Sequence, residues 1–315
     1  MKPITRLIIA TITAFLICQI LFMICDKSLT RFTNHKTERI SEIFLNKTAF
    51  DMVFIGSSRT HTSINPFIID SICGVNSYNA GVDGGNLYEF KLTFDGYLVN
   101  HPHPKYLILT LDLLSFDLRK RFFNYTQYFP YTKNHVIKEK LKENGYYPIL
   151  FQLLPFLKLT IYDDYTRGNI VKGLMGATEI PPGDFQYKGF LTNTDNYISE
   201  IQQASVTPTL TADISNEAKG ILQSIIEVCK SKNIKLVFTY APEYRHIFQN
   251  HYLNKEEVFN TINDIARIGK ITFMRHDHLD MCQDNKLFAK VGHVNKPGAD
   301  VYSRILAEQL KTLIK

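Results

Sequence analysis

Five strand candidates recur along the chain, at residues 52–55, 75–78, 106–111, 235–240 and 270–274, and the first, third and fourth are mainly apolar runs. They carry the strongest constraint on its fold. Runs such as MVFI, YLILTL and KLVFTY are apolar at successive positions, without the alternation of a half-exposed strand. Strands of that kind are buried on both faces, as in parallel sheets covered by helices. Segments of helical period lie between or after them: after Pro66, at 86–99, at 214–232, at 255–268 and after Pro297. Strands alternating with helices predict an α/β fold with three layers. Its centre is a doubly wound, mainly parallel five-stranded sheet of flavodoxin-like type.

Two segments stand outside this alternation. Residues 7–25 read LIIATITAFLICQILFMIC, without a charge. About 19 apolar residues can just cross a hydrocarbon core. The run exceeds a typical signal-peptide core, and Asp26-Lys27 follows it where a small-residue cleavage site would stand. We therefore expect a signal anchor over 1–27 and a juxtamembrane helix over 28–50, with Ile40, Ile43 and Phe44 as its apolar stripe. The remaining domain covers 51–315, with an insertion of helices and loops at about 118–210. That insertion is rich in Tyr and Phe and is broken by Pro130, Pro148, Pro155 and Pro181-Pro182. Lys2 and Arg6 precede the span, while Lys27, Arg31, Lys36 and Arg39 follow it, so charge counting alone does not orient it.

Composition excludes several classes. A net charge of +6 over 315 residues, with basic residues scattered apart from Arg119-Lys120-Arg121, is not a nucleic-acid footprint. The five cysteines form no CxxC pair, so we expect apolar packing from them and neither a zinc ribbon nor a disulfide framework. Gly84-Gly85 lacks the flanking residues of a phosphate loop, and no cofactor is expected. His276-Asp277-His278 and His101-Pro102-His103 have no third ligand at a known spacing, so no metal is expected either.

In open α/β sheets ligands bind beyond the carboxyl ends of the strands. The first strand ends in Gly56-Ser57-Ser58-Arg59. A hydroxyl at the start of a helix is well placed as a nucleophile, and its own N–H can hold an oxyanion. The ordinary alternative is a helix cap. Near the other end stands Gly292-His293-Val294-Asn295-Lys296-Pro297-Gly298-Ala299. A His before the last helix can approach Ser58 and serve as its base. Arg59 is placed either to hold a substrate anion or to form a salt bridge. The aromatic group Phe122, Phe123, Tyr125, Tyr128, Phe129 and Tyr131 suits a satellite core, a sugar platform or a lipid contact.

These residues carry a family resemblance. Residues 51–59, with Asn65-Pro66 shortly after, resemble the first block of the SGNH (GDSL-like) hydrolases, in particular their membrane-anchored envelope subgroup. Asn79-Ala80-Gly81 resembles the second block. His293 to Ala299 with Tyr302-Ser303 resembles the last. Relatives in this style include the D-alanine transfer protein of lipoteichoic acid synthesis. The resemblance implies Ser58 as nucleophile, His293 as base, and the N–H groups of Ser58 and Gly81 as oxyanion hole. Ser57, Arg59 and Asn79 become substrate-binding candidates. It also implies a domain outside the cytoplasmic membrane and an acylated glycan or envelope polymer as substrate, with other envelope-biosynthesis proteins as partners. Two positions depart from the pattern. Lys290 stands three residues before His293, where the family has the Asp that orients the imidazole. Asp112 follows the third strand, where no oxyanion-donating Asn is evident. Asp277 and Asp280 are candidate replacements for the orienting acid. Two expectations result: an esterase or acyltransferase, or a degenerate protein that keeps the fold for binding or assembly.

Overall fold

The computed structural model describes residues 3–31, 35–177, 186–195 and 207–314. Residues 178–185 and 196–206 of the expected insertion lie outside them. The chain packs as two compact units: Met1–Leu45 with Asn124–Glu179, and Asn46–Phe123 with Ile180–Lys315.

The second unit holds the sheet. Its strands are β1 (Met52–Ile55), β2 (Ser77–Asn79), β3 (Tyr106–Thr110), β6 (Lys235–Tyr240) and β7 (Thr272–Arg275). A small hairpin, β4 (Gln186–Tyr187) with β5 (Phe190–Leu191), comes between β3 and β6 in the chain. The order across the sheet is β2-β1-β3-β6-β7, and every neighbouring pair is parallel. β1 is buried along its whole length, as its unbroken apolar run requires. This is the expected doubly wound arrangement, with the chain reversing direction across the sheet between β1 and β3.

The helices begin where the sequence supplies caps. Asn65 Oδ1 accepts from Phe67 N and opens α4 (Pro66–Cys73). Asn86 does the same for α5 (Leu87–Asn100), and Ser215 for α9 (Asn216–Ser231). After the short α10 (Ile247–Asn250), α11 (Lys255–Gly269) ends on Lys270 in a left-handed conformation, φ 54°. That cap consumes the first residues of the strand expected at 270–274, so β7 starts two residues later. The last helix, α12 (Lys296–Leu313), packs on α4, with Ile69, Ala299, Tyr302, Leu306 and Leu310 in one buried cluster. Ile69, Leu306 and Leu310 each contribute about 1.5–3 kcal/mol by leaving water.

In the first unit, α1 (Pro3–Arg31) is long and apolar enough to cross a membrane. α2 (His35–Leu45) buries the stripe Ile40, Ile43 and Phe44. Phe44 meets Tyr128 edge to face, and Ser41 Oγ lies 2.9 Å from Tyr131 Oη. Part of the aromatic group is thus core beneath α2. α6 (His135–Glu143), α7 (Ile149–Leu153) and α8 (Asp164–Leu174) complete this unit.

Candidate active site

The carboxyl ends of β1, β2, β3 and β6 converge beside a cavity of about 390 Å³. Ser57, Ser58, Arg59, Asp112 and His293 line it, with Gly84, Leu114, Lys120, Phe123 and Phe248. Ser58 is the first residue of α3 (Ser58–Ser63). Its Oγ lies 2.9 Å from His293 Nε2, although 235 positions separate the two in sequence. The expected pair is therefore assembled at hydrogen-bond distance.

Ser57 caps α3, its Oγ accepting from Arg59 N, so the helix-cap reading also holds, one residue before Ser58. His293 lies in β9 (His293–Val294), the second strand of a hairpin with β8 (Phe288–Lys290). Asn295 fixes this hairpin to α12: its Oδ1 accepts from Gly298 N at 3.1 Å and its Nδ2 donates to Lys286 O at 2.7 Å. Ser303 of α12 ties the same helix to the end of α3, accepting from Asn65 N at 2.8 Å and donating to Ser63 O at 3.2 Å. His293 and Ser58 are thus held by two polar clamps and one shared apolar core.

Several candidate residues have other tasks. Asn79 is fully buried. Its Nδ2 donates to Thr60 O and Ile64 O, both at 2.8 Å, and its Oδ1 accepts from Gly81 N at 3.0 Å. The Gly81 N–H expected in the oxyanion hole is thereby occupied. Gly81 is a point of close approach: a Cβ there would lie 2.5 Å from His61 N, in the backbone of α3. Ser58 N–H, among the first N–H groups of α3 and so without a helical partner, remains as an oxyanion donor. Ser57 Oγ donates to Asp112 Oδ2 at 2.6 Å, which commits that hydroxyl inward.

Arg59 is 3% exposed. Its Nη2 donates to Ala241 O at 2.7 Å and pairs with Glu243 at 3.6 Å, and its guanidinium lies near the rings of Tyr240 and Phe248. Of the two roles weighed for Arg59, the geometry gives the salt bridge. Burial opposes its charge, but Tyr240, Glu243 and Asp112 more than offset this and raise its pKa. Burial also raises the Glu243 carboxyl, against the pull of Arg59.

No carboxylate hydrogen-bonds His293 among the described residues. Asp277 binds Arg275 through Nε at 3.1 Å and accepts from Gln249 Nε2 at 2.9 Å, while Asp280 is exposed at the start of the turn Asp280–Gln283. Neither replaces the missing acid. Lys290 is the cross-strand partner of His293. Burial, then Arg59 and Lys290, push the imidazole down to about 4, against Asp83 and Asp112. His293 is therefore neutral at pH 7, ready to accept a proton but reluctant to keep it.

The metal-type residues assemble differently from the expected groupings. Glu243, His246 and Asp277 bring ligand atoms within 4.8 Å of one another. Gln249 Nε2 lies 2.9–3.0 Å from all three, and Arg59 and Arg275 balance the two carboxylates. A dication would leave this cluster net positive. His276 is bound to Tyr302 and Gln309.

Sequence reasoning missed Glu243, Phe248 and Lys120. Glu243 was within reach of the strand-end rule, since it follows β6 by three residues. Nothing local marks Phe248 or Lys120 as cavity residues.

No protein-family model and no curated relative matches the chain. Solved structures similar to it include a protein described as lipolytic and of the G-D-S-L family from Desulfitobacterium hafniense, at TM-score 0.42 and 10% identity over 83% of this chain and 99% of that one. A protein described as an acylhydrolase from Bacteroides fragilis gives 0.43 and 12%, over 90% and 96%. A GDSL-like lipase from Bacteroides thetaiotaomicron gives 0.42 and 13%, over 90% and 98%. Overlaps and identities this low carry no chemistry across; the site is read from its own side chains.

Proposed function

We propose that the chain is a membrane-anchored serine esterase or acyltransferase of SGNH type, with Ser58 as nucleophile and His293 as general base. The observation that carries this reading is the 2.9 Å contact of Ser58 Oγ with His293 Nε2 at the strand ends, beside a 390 Å³ cavity. His293 Nε2 takes the Ser58 proton as Oγ attacks an ester carbonyl. Ser58 N–H holds the developing oxyanion. The imidazolium then protonates the leaving alkoxide, and the acyl group remains on Ser58 until water or an acceptor hydroxyl removes it. The apolar span in α1 supports anchoring in a membrane. The sequence resemblance supports an extracytoplasmic domain and an acylated envelope glycan or polymer as substrate.

Three features favour a second reading, a protein that keeps the fold for binding or envelope assembly. Gly81 N–H is occupied, the Asp112 carboxylate lines the cavity, and no carboxylate among the described residues hydrogen-bonds His293. Turnover of a short-chain nitrophenyl ester by the purified full-length protein separates the two. The esterase reading requires hydrolysis that Ser58→Ala abolishes. Equal rates for wild type and Ser58→Ala exclude it.

A further inference from the structure

α1 is accompanied by a second apolar segment within the first unit. Residues 148–162 read PILFQLLPFLKLTIY, with Lys158 as the single charge. The segment folds as α7, a break at Leu154-Pro155, and the 3₁₀ helix Pro155–Thr160. Ile149, Leu150 and Leu153 of α7 are 66%, 48% and 65% exposed. α8 adds Val171 and Leu174 at 58% and 56%, with Met175 at its C-terminal cap at 79%. Single exposed apolar residues are ordinary. These six stand on two segments associated with a helix that is itself apolar outward: the 3₁₀ helix and α8 pack on α1, and α7 packs on the 3₁₀ helix.

The level of contact along α1 is informative. Phe156 meets Phe15 edge to face, with ring centroids 6.3 Å apart. Phe15 lies ten residues before Cys25, the end of the apolar run. At 1.5 Å per residue that is about 15 Å, or half of a hydrocarbon core about 30 Å thick. Fifteen residues broken at a proline are too few to cross such a core. The segment leads instead from the charged α6 back to Asp163 and Asp164 at the start of α8.

Its single charge is handled as hydrocarbon demands. Lys158 is 4% exposed. Its Nζ turns inward, donating to Thr132 Oγ1 at 3.1 Å and lying over the rings of Phe22 and Tyr147. At the break and its ends the backbone is bonded locally: Phe151 N to Pro148 O, Leu154 N to Leu150 O, Leu157 N to Leu154 O, and Ile161 N to Lys158 O. α8 is pressed on α1 backbone to backbone, since a Cβ at Gly173 would lie 2.0 Å from Ser28 O. Close approach at a small residue is a common device of helix packing in membranes.

We propose that residues 148–162 form a second membrane-embedded element, a re-entrant helix–break–helix that dips into one leaflet beside α1 and exposes Ile149, Leu150 and Leu153 to lipid acyl chains. α8 lies at the headgroup boundary. The occupant is lipid because the exposed residues belong to a segment that packs on α1, itself apolar and exposed, and whose Phe156 reaches the middle of the apolar run of α1. The proposal rests on α1 being a membrane span.

The chain contains no tryptophan, so one introduced Trp is the sole indole reporter. Full-length Leu153→Trp, Leu16→Trp (in α1) and Lys230→Trp (in α9) are each reconstituted in phosphatidylcholine vesicles, with and without bromine at mid-chain. Leu153→Trp is expected to lose most of its emission to the bromine, as Leu16→Trp does, while Lys230→Trp loses none. Quenching of Leu16→Trp without quenching of Leu153→Trp overturns the embedded segment and leaves the anchor standing. This holds also if its emission is blue-shifted, which means that protein covers the face. If neither is quenched, the membrane span fails, and this inference with it. Ile149→Trp repeats the measurement one helical turn away.

Discussion

Lys290→Asp is the substitution most informative about His293. The two residues face each other across β8 and β9, which places their Cβ atoms about 5 Å apart. Reversing one unit charge at 5 Å changes the energy of the imidazolium by about 1.7 kcal/mol at the dielectric of water, and by about twice that at half the dielectric. Because Lys290 is exposed, the lower figure is the safer. It corresponds to about 1.2 pKa units. His293 begins at about 4 and should rise by at least about 1 unit. The sign follows from its role. The base must be neutral to accept the Ser58 proton, so activity is lost as pH falls through its pKa. The acid limb of kcat/KM should therefore move from about pH 4 up by about 1 unit or more. At pH 7 the imidazole is neutral in both proteins, and the rate should rise on the order of tenfold, because the imidazolium is now stabilised and oriented. Lys290→Met should give about half the shift. The assay is nitrophenyl ester hydrolysis against pH, with thermal unfolding as a control for folding. An unmoved acid limb, or a slower plateau in a protein of unchanged stability, would refute the reasoning.

Other perturbations test other parts of the site. Asp112→Asn replaces a carboxylate lining the cavity with an amide that can still accept from Ser57, and should raise kcat several-fold; a lower kcat would mean that the charge serves the reaction. Arg59→Leu strands the buried Glu243 and should cost about 3–5 kcal/mol in thermal unfolding, most of it recovered in Arg59→Leu/Glu243→Leu. A fall of less than about 1 kcal/mol would contradict the salt-bridge role. Gly81→Ala drives a Cβ into the backbone of α3 and should cost about 1–3 kcal/mol while lowering activity through displacement of Ser58; unchanged kcat would return Gly81 to a dispensable position.

The three central strands β1, β3 and β6 were legible because each is a mainly apolar run buried on both faces, whereas the edge strands β2 (Ser77–Asn79) and β7 (Thr272–Arg275) are polar in part and were placed by the alternation with helices. The caps at Asn65, Asn86, Ser215 and Asn295 are contacts within three residues, so the signal that sets those helix starts is local. The Ser58 and His293 pair was legible from its placement, one residue at the end of the first strand and the other before the last helix. What surrounds the pair was less so, because it depends on which of several partners a polar group selects. Asn79 holds Gly81 N–H, and Arg59 turns to Glu243, a residue 184 positions away. Asp277 stands near His293 in sequence but is taken by Arg275 and Gln249. Burial decides each of these contests, and burial is set by the whole fold. Similarly, the break at Pro155 is plain in the sequence, whereas the contact of Phe156 with Phe15 appears only once the first unit is packed.

The account depends most on Ser58 being a working nucleophile. Treating the full-length protein with a serine-directed fluorophosphonate and mapping the adduct by peptide mass spectrometry tests this directly. The prediction is a single phosphonylated residue, Ser58, with labelling lost in Ser58→Ala and strongly slowed in His293→Ala. A folded wild-type protein that stays unlabelled, or is labelled equally in Ser58→Ala, contradicts it.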